Sequence, residues 1–216
     1  MSIGEFFAVK KRIWRDQAHA IRHYYKRPRF ACLDLSFGLF SLISNPYRTC
    51  RKFLQKKGEK DVYAYGETPY STLQKIAAAS EATASDRWIE LGSGRGKGCF
   101  WIAHFIGCET VGVEWVPQFV RAARFLKACF KFKNVSFHLQ DMEETDFTNA
   151  SVVYLYGTCL SEAILCRLVE KMKALPKGAR VISISEPLKS DAFTIKETLS
   201  VSYPWGETEA FLHLKI

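Results

Sequence analysis

From Tyr70 to the last residue, short runs rich in β-branched and aromatic residues alternate with longer amphipathic stretches. Apolar residues at every second position predict strands, and apolar residues three and four positions apart predict helices. The predicted strands cover 87–91, 110–115, 135–140, 151–156, 179–185, 197–203 and 208–215. The predicted helices lie near 70–80, 96–106, 117–132 and 161–174. This alternation is typical of βαβ units stacked around a parallel sheet.

The last two predicted strands are separated by a turn at Pro204, Trp205 and Gly206 and not by a helix. Two strands joined in this way form an antiparallel hairpin, whereas parallel neighbours need a long crossover. The sequence therefore predicts an α/β fold with a Rossmann-like sheet of seven strands that closes in an antiparallel hairpin. That closing hairpin is unusual for domains that bind nicotinamide cofactors.

The N-terminal part of the chain has a different pattern, which predicts helices without strands. Apolar residues recur at helical spacing from Ile3 to Tyr25, and Pro28 is expected to end this first helix. A second apolar stretch follows until Pro46 breaks it, and a short basic helix comes next.

The chain is predicted to divide at a charged hinge, residues 57–62, which separates a basic helical N-terminal segment, residues 1–60, from a main domain, residues 61–216. The net charge of +9 comes from the first part: residues 1–60 hold 14 Lys and Arg against 4 Asp and Glu, whereas the remainder holds 17 against 18. A concentrated positive charge attracts nucleic acid, an anionic membrane surface or an acidic protein. Any such partner is therefore expected at the N-terminal segment.

The sequence also indicates the compartment. A spanning helix needs about 20 consecutive apolar residues, and the longest candidate, residues 30–44, is shorter and contains Asp34. The first residues carry their charges after a very short apolar stretch, which is the wrong order for a signal peptide. A cytoplasmic protein without a membrane-spanning segment is expected.

The cysteine and histidine residues do not predict a disulfide framework or a metal site. The seven cysteines are an odd number, form no CxxC pair and lie mostly in apolar runs, so reduced, buried thiols are expected. His19 and His23 are one helical turn apart, but no further Cys or His cluster accompanies them. No metal is predicted.

The strongest local motif joins the first predicted strand to the helix after it. It places an acid, Glu90, ahead of three glycines, Gly92, Gly94 and Gly96. Glycines allow a tight turn and a close approach to a ligand, and a helix N-terminus offers free N–H groups. The third glycine of a dinucleotide-binding motif would fall at position 97, which is Lys97. The spacing therefore favours a cofactor without a pyrophosphate, whose cationic amino-acid end faces the acid.

Two further acids stand where the second and third predicted strands end. Glu114 follows the glycine motif at the distance where a carboxylate can accept hydrogen bonds from ribose hydroxyls. Asp141 can accept one from an adenine amino group, with Met142 packed on the ring. Either acid alone would be read as a surface residue, but acids at three successive strand ends predict a nucleoside-containing cofactor.

These motifs resemble the class I S-adenosylmethionine-dependent methyltransferases across residues 62–216. The chain looks most like the disruptor-of-telomeric-silencing branch, the lysine methyltransferases that lack a SET domain, with their bacterial and archaeal relatives. The matching segments are YGET at 65–68, ELGSGRG at 90–96, GVEW at 112–115, QDM at 140–142, SVVYLYGTCL at 151–160, ISEPL at 184–188 and the closing segment 205–213.

The resemblance implies S-adenosyl-L-methionine as cofactor and assigns roles to individual residues. In that family the YGET loop folds over the methionine end of the cofactor. The implied cofactor-binding residues are Tyr65, Glu67, Thr68, Glu90, Gly92, Gly94, Gly96, Glu114, Trp115, Asp141 and Met142. The segment after the fourth strand lines the channel for the target amine. The candidates for this catalytic channel are Tyr156, Thr158, Trp205 and Phe211, with an ordinary core role as the alternative for the aromatic ones.

The expected function is methyl transfer from S-adenosylmethionine to a lysine of a protein substrate. An aromatic channel would favour the deprotonated amine by desolvation. The family's eukaryotic histone enzymes carry an Asn-Asn-Phe type sequence where this chain has Tyr156-Gly157-Thr158, so a histone substrate does not follow. The alternatives are methyl transfer to RNA or a small molecule, because the fold does not determine the acceptor, and a cofactor-binding module without turnover.

Overall fold

The computed structural model describes residues 3–59, 61–62 and 65–216. Three helices come first, and strands alternate with helices after them. The helices are α1 (Ile3–Tyr24), α2 (Pro28–Ile43), α3 (Pro46–Lys57), α4 (Tyr70–Ala79), α5 (Lys97–Phe105), α6 (Pro117–Cys129) and α7 (Glu162–Met172). The strands are β1 (Arg87–Leu91), β2 (Glu109–Glu114), β3 (Val135–Leu139), β4 (Val152–Leu155), β5 (Arg180–Ile184), β6 (Phe193–Tyr203) and β7 (Gly206–Lys215). A 3-10 turn covers Met142–Glu144.

All seven strands form one sheet in the order β3-β2-β1-β4-β5-β7-β6. The first five strands pair in parallel, and β7 runs antiparallel between β5 and β6. The predicted α/β fold, with its Rossmann-like seven-stranded sheet and closing hairpin, is confirmed. The strand order reverses between β1 and β4, and ligands of open α/β sheets bind at such a point, outside the carboxyl ends of the strands.

Three predicted boundaries were wrong for local reasons. β6 begins at Phe193 and not at 197, because a bulge between Ile195 and Glu197 interrupts the alternation that predicts strands. α6 ends at Cys129, two residues before Lys131 adopts a positive φ of 50°. Pro28 begins α2 and does not end α1, since a proline fits the first turn of a helix, where its missing N–H is not needed.

The N-terminal helices pack on one face of the sheet. Ala20 and Tyr24 of α1, and Phe30, Leu33 and Phe37 of α2, are buried in the same apolar cluster as α4 and α5. Burial of a large apolar side chain contributes about 1.5–3 kcal/mol to stability. Residues of the predicted N-terminal segment therefore help to form the core of the main domain.

Two carboxylates fasten these helices to the start of α4. Asp16 accepts hydrogen bonds from the backbone N–H groups of Tyr70, at 3.3 Å, and Ser71, at 3.1 Å. Pro69, at the N-cap of α4, supplies no capping side chain, so Asp16 takes that role from a distant part of the chain. Asp34, buried in α2, accepts a hydrogen bond of 2.6 Å from the Tyr70 hydroxyl and one of 2.8 Å from Tyr25.

Within the described ranges, no helix has both the length and the apolar character needed to cross a membrane.

Gly96 begins α5 at a position that no larger residue can occupy without distortion. Its φ is +81°, and a Cβ built there would lie 2.4 Å from Cε1 of Phe137. Gly178 has a similar φ of +85°, but a Cβ built there meets nothing within 4 Å. At both positions an L residue with a Cβ would strain the backbone, and the two positions differ in steric overlap.

We expect Gly178→Ala to lower the free energy of unfolding by about 1 kcal/mol through its backbone conformation alone. Gly96→Ala should cost about 1–3 kcal/mol more, because Phe137 must move. Urea unfolding followed by circular dichroism measures both values. Equal losses in the two variants would contradict the packing of Phe137 against this loop.

Candidate active site

The glycine-rich loop joins β1 to α5 at the carboxyl end of the sheet. Gly92 and Gly94 have positive φ values of 73° and 55°. The N–H groups of Gly92 and Ser93 both donate to the carbonyl of Val113 on β2, at 2.9 Å. Gly92 is exposed, and a Cβ built on it would come no closer than 3.8 Å to Met142 Cε. The loop is therefore held to the sheet, and its Gly92 end is open to a ligand.

Glu114, at the end of β2, is buried beside this loop. One carboxylate oxygen accepts the Gly94 N–H and the other accepts the Val116 N–H, both at 2.7 Å. Burial raises the pKa of Glu114, and the two backbone hydrogen bonds partly oppose that shift. Each oxygen keeps a further lone pair, so the carboxylate can also accept from ribose hydroxyls.

Glu90, at the end of β1, lies on the opposite side of the loop. Burial raises the pKa of Glu90 to about 7; a hydrogen bond from the Cys99 thiol opposes the shift, and the charges of Glu114 and Glu67 add to it. Sγ of Cys99 lies 3.1 Å from the Glu90 carboxyl. A Cβ on Gly98 would fall 2.6 Å from Oε2 of Glu90, so this glycine makes the room for the carboxyl group. The acid is therefore near its titration point at neutral pH.

The Tyr65-Gly66-Glu67-Thr68 segment lies across the glycine-rich loop. The Tyr65 hydroxyl donates to Glu67 at 2.6 Å, and a Cβ on Gly94 would lie 3.4 Å from the Tyr65 ring. Thr68 hydrogen bonds to the buried hydroxyl of Tyr154 at 2.7 Å. A small cavity of about 20 Å³ remains between the two loops. The structure therefore brings the two predicted loops together.

Arg95 fixes Glu67 in this arrangement. Its guanidinium contacts the Glu67 carboxylate at 2.7 Å and also donates to the Phe37 carbonyl and the Ser41 hydroxyl of α2. Burial alone would raise the pKa of Glu67, but the charges of Lys97 and Arg95 and the hydrogen bonds from Tyr65 and Arg95 keep it below its ordinary value. Arg95 was not among the residues predicted from the sequence. It could have been found as the basic residue of the glycine-rich loop, which can pair with an acid such as Glu67.

Of the residues expected near adenine, Asp141 and Met142 lie beyond the end of β3. The Asp141 side chain caps the 3-10 turn by accepting the Glu143 N–H at 3.0 Å, and Met142 approaches Gly92. Trp115, another predicted cofactor-binding residue, contacts α3: its ring lies 5.3 Å from that of Phe53.

A larger cavity of about 690 Å³ opens at the ends of β4 and β5. Tyr156 and Trp205 line it, and Thr158 is exposed at its edge. Tyr203 lies between the two aromatic rings, 5.0 Å from Tyr156 and 5.4 Å from Trp205, in stacked geometry. The Trp205 indole N–H donates to the Tyr156 hydroxyl at 2.8 Å. Burial raises the pKa of Tyr156, so the hydroxyl stays neutral at physiological pH.

Phe211 is not among the described residues that line this cavity. It pairs with Ser183 of β5, and its ring lies 6.4 Å from that of His213. A strand advances about 3.3 Å per residue, so Phe211 is roughly 20 Å along the hairpin from Trp205. Tyr203, whose ring stacks with those of Tyr156 and Trp205, was not among the predicted channel residues, and the role of Phe211 stays a prediction.

Charge distinguishes the wall of the larger cavity from the rest of this basic chain. Among the described residues that line it, the charged ones are Glu67 and Glu186, and both are acidic. The remaining lining residues are apolar, aromatic or neutral. The cavity therefore suits an acceptor that is apolar along its length and positively charged or basic at its end.

Comparison with known proteins agrees with this arrangement. Residues 82–203 match the family described as "Methyltransferase domain", and the chain belongs to that family. A Dictyostelium discoideum protein named "Histone-lysine N-methyltransferase, H3 lysine-79 specific" is 23% identical over 190 residues, which cover 81% of this chain and 10% of that protein. The chain thus spans about a tenth of the length of this curated relative.

Solved structures share the fold. An RNA methyltransferase from Salinibacter ruber, in complex with S-adenosyl-L-homocysteine, is 24% identical with a TM-score of 0.57, and the match covers 69% of this chain and 94% of that one. A mutant of MtNAS (E81Q) in complex with S-adenosylmethionine is 14% identical with a TM-score of 0.56, over 91% of this chain and 81% of that one.

The predicted class, a methyltransferase that uses S-adenosyl-L-methionine, is confirmed by the family match. The narrower resemblance to the lysine methyltransferases without a SET domain stays a prediction, because the matched relative shares 23% identity. The roles of individual residues and the cytoplasmic location also stay predictions.

The raised pKa of Glu90 predicts how stability depends on pH in the absence of cofactor. Between the ordinary value of 4.5 and about 7, folded Glu90 keeps a proton that the unfolded chain has lost. The free energy of unfolding should therefore fall as pH rises through this range, by up to about 1.4 kcal/mol per pH unit.

Glu90→Gln should remove this part of the pH dependence, whereas Glu109→Gln, an exposed control on the adjacent strand, should keep it. Urea unfolding at several values between pH 5 and pH 8 measures the slopes. Parallel slopes for the wild-type protein and Glu90→Gln would contradict the assignment.

Proposed function

We propose that this chain transfers the methyl group of S-adenosyl-L-methionine to a lysine side chain of a protein. The observation that supports the acceptor is the cavity of about 690 Å³, whose described wall is aromatic and apolar with acidic charges. The alkyl part of a lysine packs well on apolar and aromatic surfaces.

The cofactor is proposed to lie along the carboxyl ends of β1, β2 and β3. Glu114 would accept from the ribose hydroxyls, Asp141 from the adenine amino group, and Met142 would pack on the adenine. Gly92 would allow the cofactor to approach the backbone closely, because a Cβ built on it has no neighbour nearer than 3.8 Å. Glu90, with its pKa of about 7, would face the cationic methionine end and ionise as that end binds. When bound, this cofactor supplies a methyl group on a positively charged sulfur.

Tyr156 is proposed to orient the acceptor. Its oxygen already accepts a hydrogen bond from Trp205, and a second lone pair is available to accept an N–H of the amine. The nitrogen lone pair is then free for in-line attack on the methyl carbon. This nitrogen would receive the methyl group of the bound cofactor, which would be left as a neutral thioether. Positioning and exclusion of water provide most of the rate enhancement, and no nucleophilic side chain is required.

The acceptor must lose its extra proton to solvent before it attacks. Lysine has a free pKa of about 10.4, and desolvation among aromatic rings lowers it. Two acids oppose this shift weakly: Glu67 is neutralised by Arg95, and Glu186 is exposed, so solvent screens its charge. The rate is therefore expected to rise with pH as the bound amine deprotonates.

A protein acceptor is favoured over RNA by the charge of the cavity. Proteins hold phosphates mostly with Lys and Arg, and the described lining residues include neither. The Dictyostelium relative, which is named as a histone-lysine methyltransferase, supports a lysine. A histone is not proposed, because Tyr156-Gly157-Thr158 departs from the sequence of the histone enzymes.

Tyr156→Phe removes the orienting hydroxyl and keeps the ring. We expect kcat/KM for methyl transfer to fall by about 10- to 100-fold, because the acceptor loses one positioning contact. The dissociation constant of S-adenosylhomocysteine, measured by calorimetry, should change less than threefold or so by the same argument. Tyr25→Phe, which removes a hydroxyl outside the cavity, is the control. Equal losses in both variants would contradict the role of Tyr156.

The acceptor class is tested with labelled S-adenosylmethionine and a cell lysate. Protease treatment should remove the macromolecular label and nuclease should leave it, and mass spectrometry should find the methyl groups on lysine. Methyl groups on a base, a ribose or a small metabolite, with none on lysine, would overturn the acceptor and leave the cofactor assignment intact.

A further inference from the structure

The N-terminal helices expose large apolar side chains on the side that faces away from the domain. Leu42 and Ile43 are 85% and 84% exposed, and Trp14 is 72% exposed. We call this surface the docking face. Its residues are Phe7, Trp14 and Ile21 of α1 and Leu35, Leu39, Leu42 and Ile43 of α2.

The spacing of these residues places them on continuous helix faces. Phe7, Trp14 and Ile21 recur every seven residues, which is two turns of helix, so they form one row along α1. Asp16 and Ala20 hold another side of α1 against the domain. The row is therefore left without a partner inside the described chain.

The exposed face of α2 is more apolar still. Phe30, Leu33 and Phe37 fix its inner side in the core. Its two charged residues do not reach the outer face: Asp34 is buried, and Arg29 donates to the carbonyl of Phe130. The outer face therefore presents leucine and isoleucine without a charge among them.

The exposed charges around the docking face are positive except for Glu5, in the first turn of α1. Between residues 6 and 57 the carboxylates are Asp16 and Asp34, and both are engaged by hydrogen bonds to α4 or its first residue. The exposed basic residues in that range are Lys10, Lys11, Arg15, Arg22, Lys26, Arg27, Arg29, Arg48, Lys52, Lys56 and Lys57. A partner of the docking face must therefore be negatively charged and must also make apolar contacts with aliphatic side chains.

We propose that α1–α3 dock this protein on the surface of a membrane that contains anionic phospholipid. Helices with basic residues on one side and Trp, Phe and Leu on the other lie in the interface, with the apolar residues at the boundary of the acyl chains. Basic residues next to that boundary gain from the negative surface potential of the lipid. The helices are proposed to lie along the membrane surface, and within the described ranges none has the length and apolar character needed to cross it.

Nucleic acid would match the positive charge of these helices but not their apolar residues. Phosphates make no apolar contact with Leu42 and Ile43, whose side chains are almost fully exposed. The docking helices also contribute Val9 and Tyr47 to the wall of the acceptor cavity. Docking would therefore bring the cavity to substrates at the membrane surface. The proposal holds whatever the acceptor is.

Vesicle flotation with the full chain tests the proposal. We expect the protein to float with vesicles of phosphatidylcholine and phosphatidylglycerol at low salt, and at least about tenfold less with phosphatidylcholine alone. High salt should weaken the binding. Absence of binding to the anionic vesicles at low salt would overturn the proposal.

Two variants separate the apolar and the charged contributions. Leu42→Ser with Ile43→Ser, and Lys52→Glu with Lys56→Glu, should each reduce binding by at least about tenfold. The matched controls are Ile195→Ser, an exposed residue of β6, and Lys133→Glu with Lys177→Glu, both exposed outside the N-terminal helices. Unchanged circular dichroism and S-adenosylhomocysteine affinity verify folding. An equal loss of vesicle binding in the control variants would show that the attraction is nonspecific and would overturn the proposal that the docking face binds the membrane.

Discussion

The packing of three carboxylates around one glycine-rich loop, the buried Glu90 and Glu114 and the partly exposed Glu67, is the constraint on which the rest of this structure depends. Burial raises the pKa of Glu90 and of Glu114, and it would raise that of Glu67 without the neighbouring cations. Such groups are unfavourable in an apolar domain unless hydrogen bonds or opposite charges compensate. Backbone N–H groups compensate the charge of Glu114, and Arg95 compensates that of Glu67. The hydrogen bond from the Cys99 thiol leaves the pKa of Glu90 at about 7, so a cationic ligand would compensate its charge.

This constraint also explains why the N-terminal helices belong to the catalytic unit. Arg95 contacts Glu67 on one side and the backbone and Ser41 of α2 on the other. Asp16 of α1 caps α4, which directly follows the YGET loop. A change in the position of these helices would therefore reach the loop over the proposed cofactor site. The proposed membrane contact lies on the outer side of the same helices, whose inner side contacts Arg95 of the glycine-rich loop.

Local patterns predicted most of the fold, because buried strands and amphipathic helices reveal their periods directly. The glycine motif and the acids at strand ends could also be predicted from the sequence, since chain order determines which strand ends meet. Contacts between distant segments could not be predicted in this way. The stacking of Tyr203 with Tyr156, the position of Phe211 along the hairpin and the ion pair of Arg95 with Glu67 depend on how far each side chain lies along its element.

The most direct test of the account is the proton balance of cofactor binding. S-adenosylmethionine binding at pH 7 should release protons, because a cationic ligand lowers the pKa of Glu90 from about 7. Calorimetry in phosphate and in Tris buffer, which differ in ionisation enthalpy, measures that release, and Glu90→Gln should abolish it while the fold is retained. Identical binding enthalpies in the two buffers for the wild-type protein would contradict the central role of the buried carboxylate.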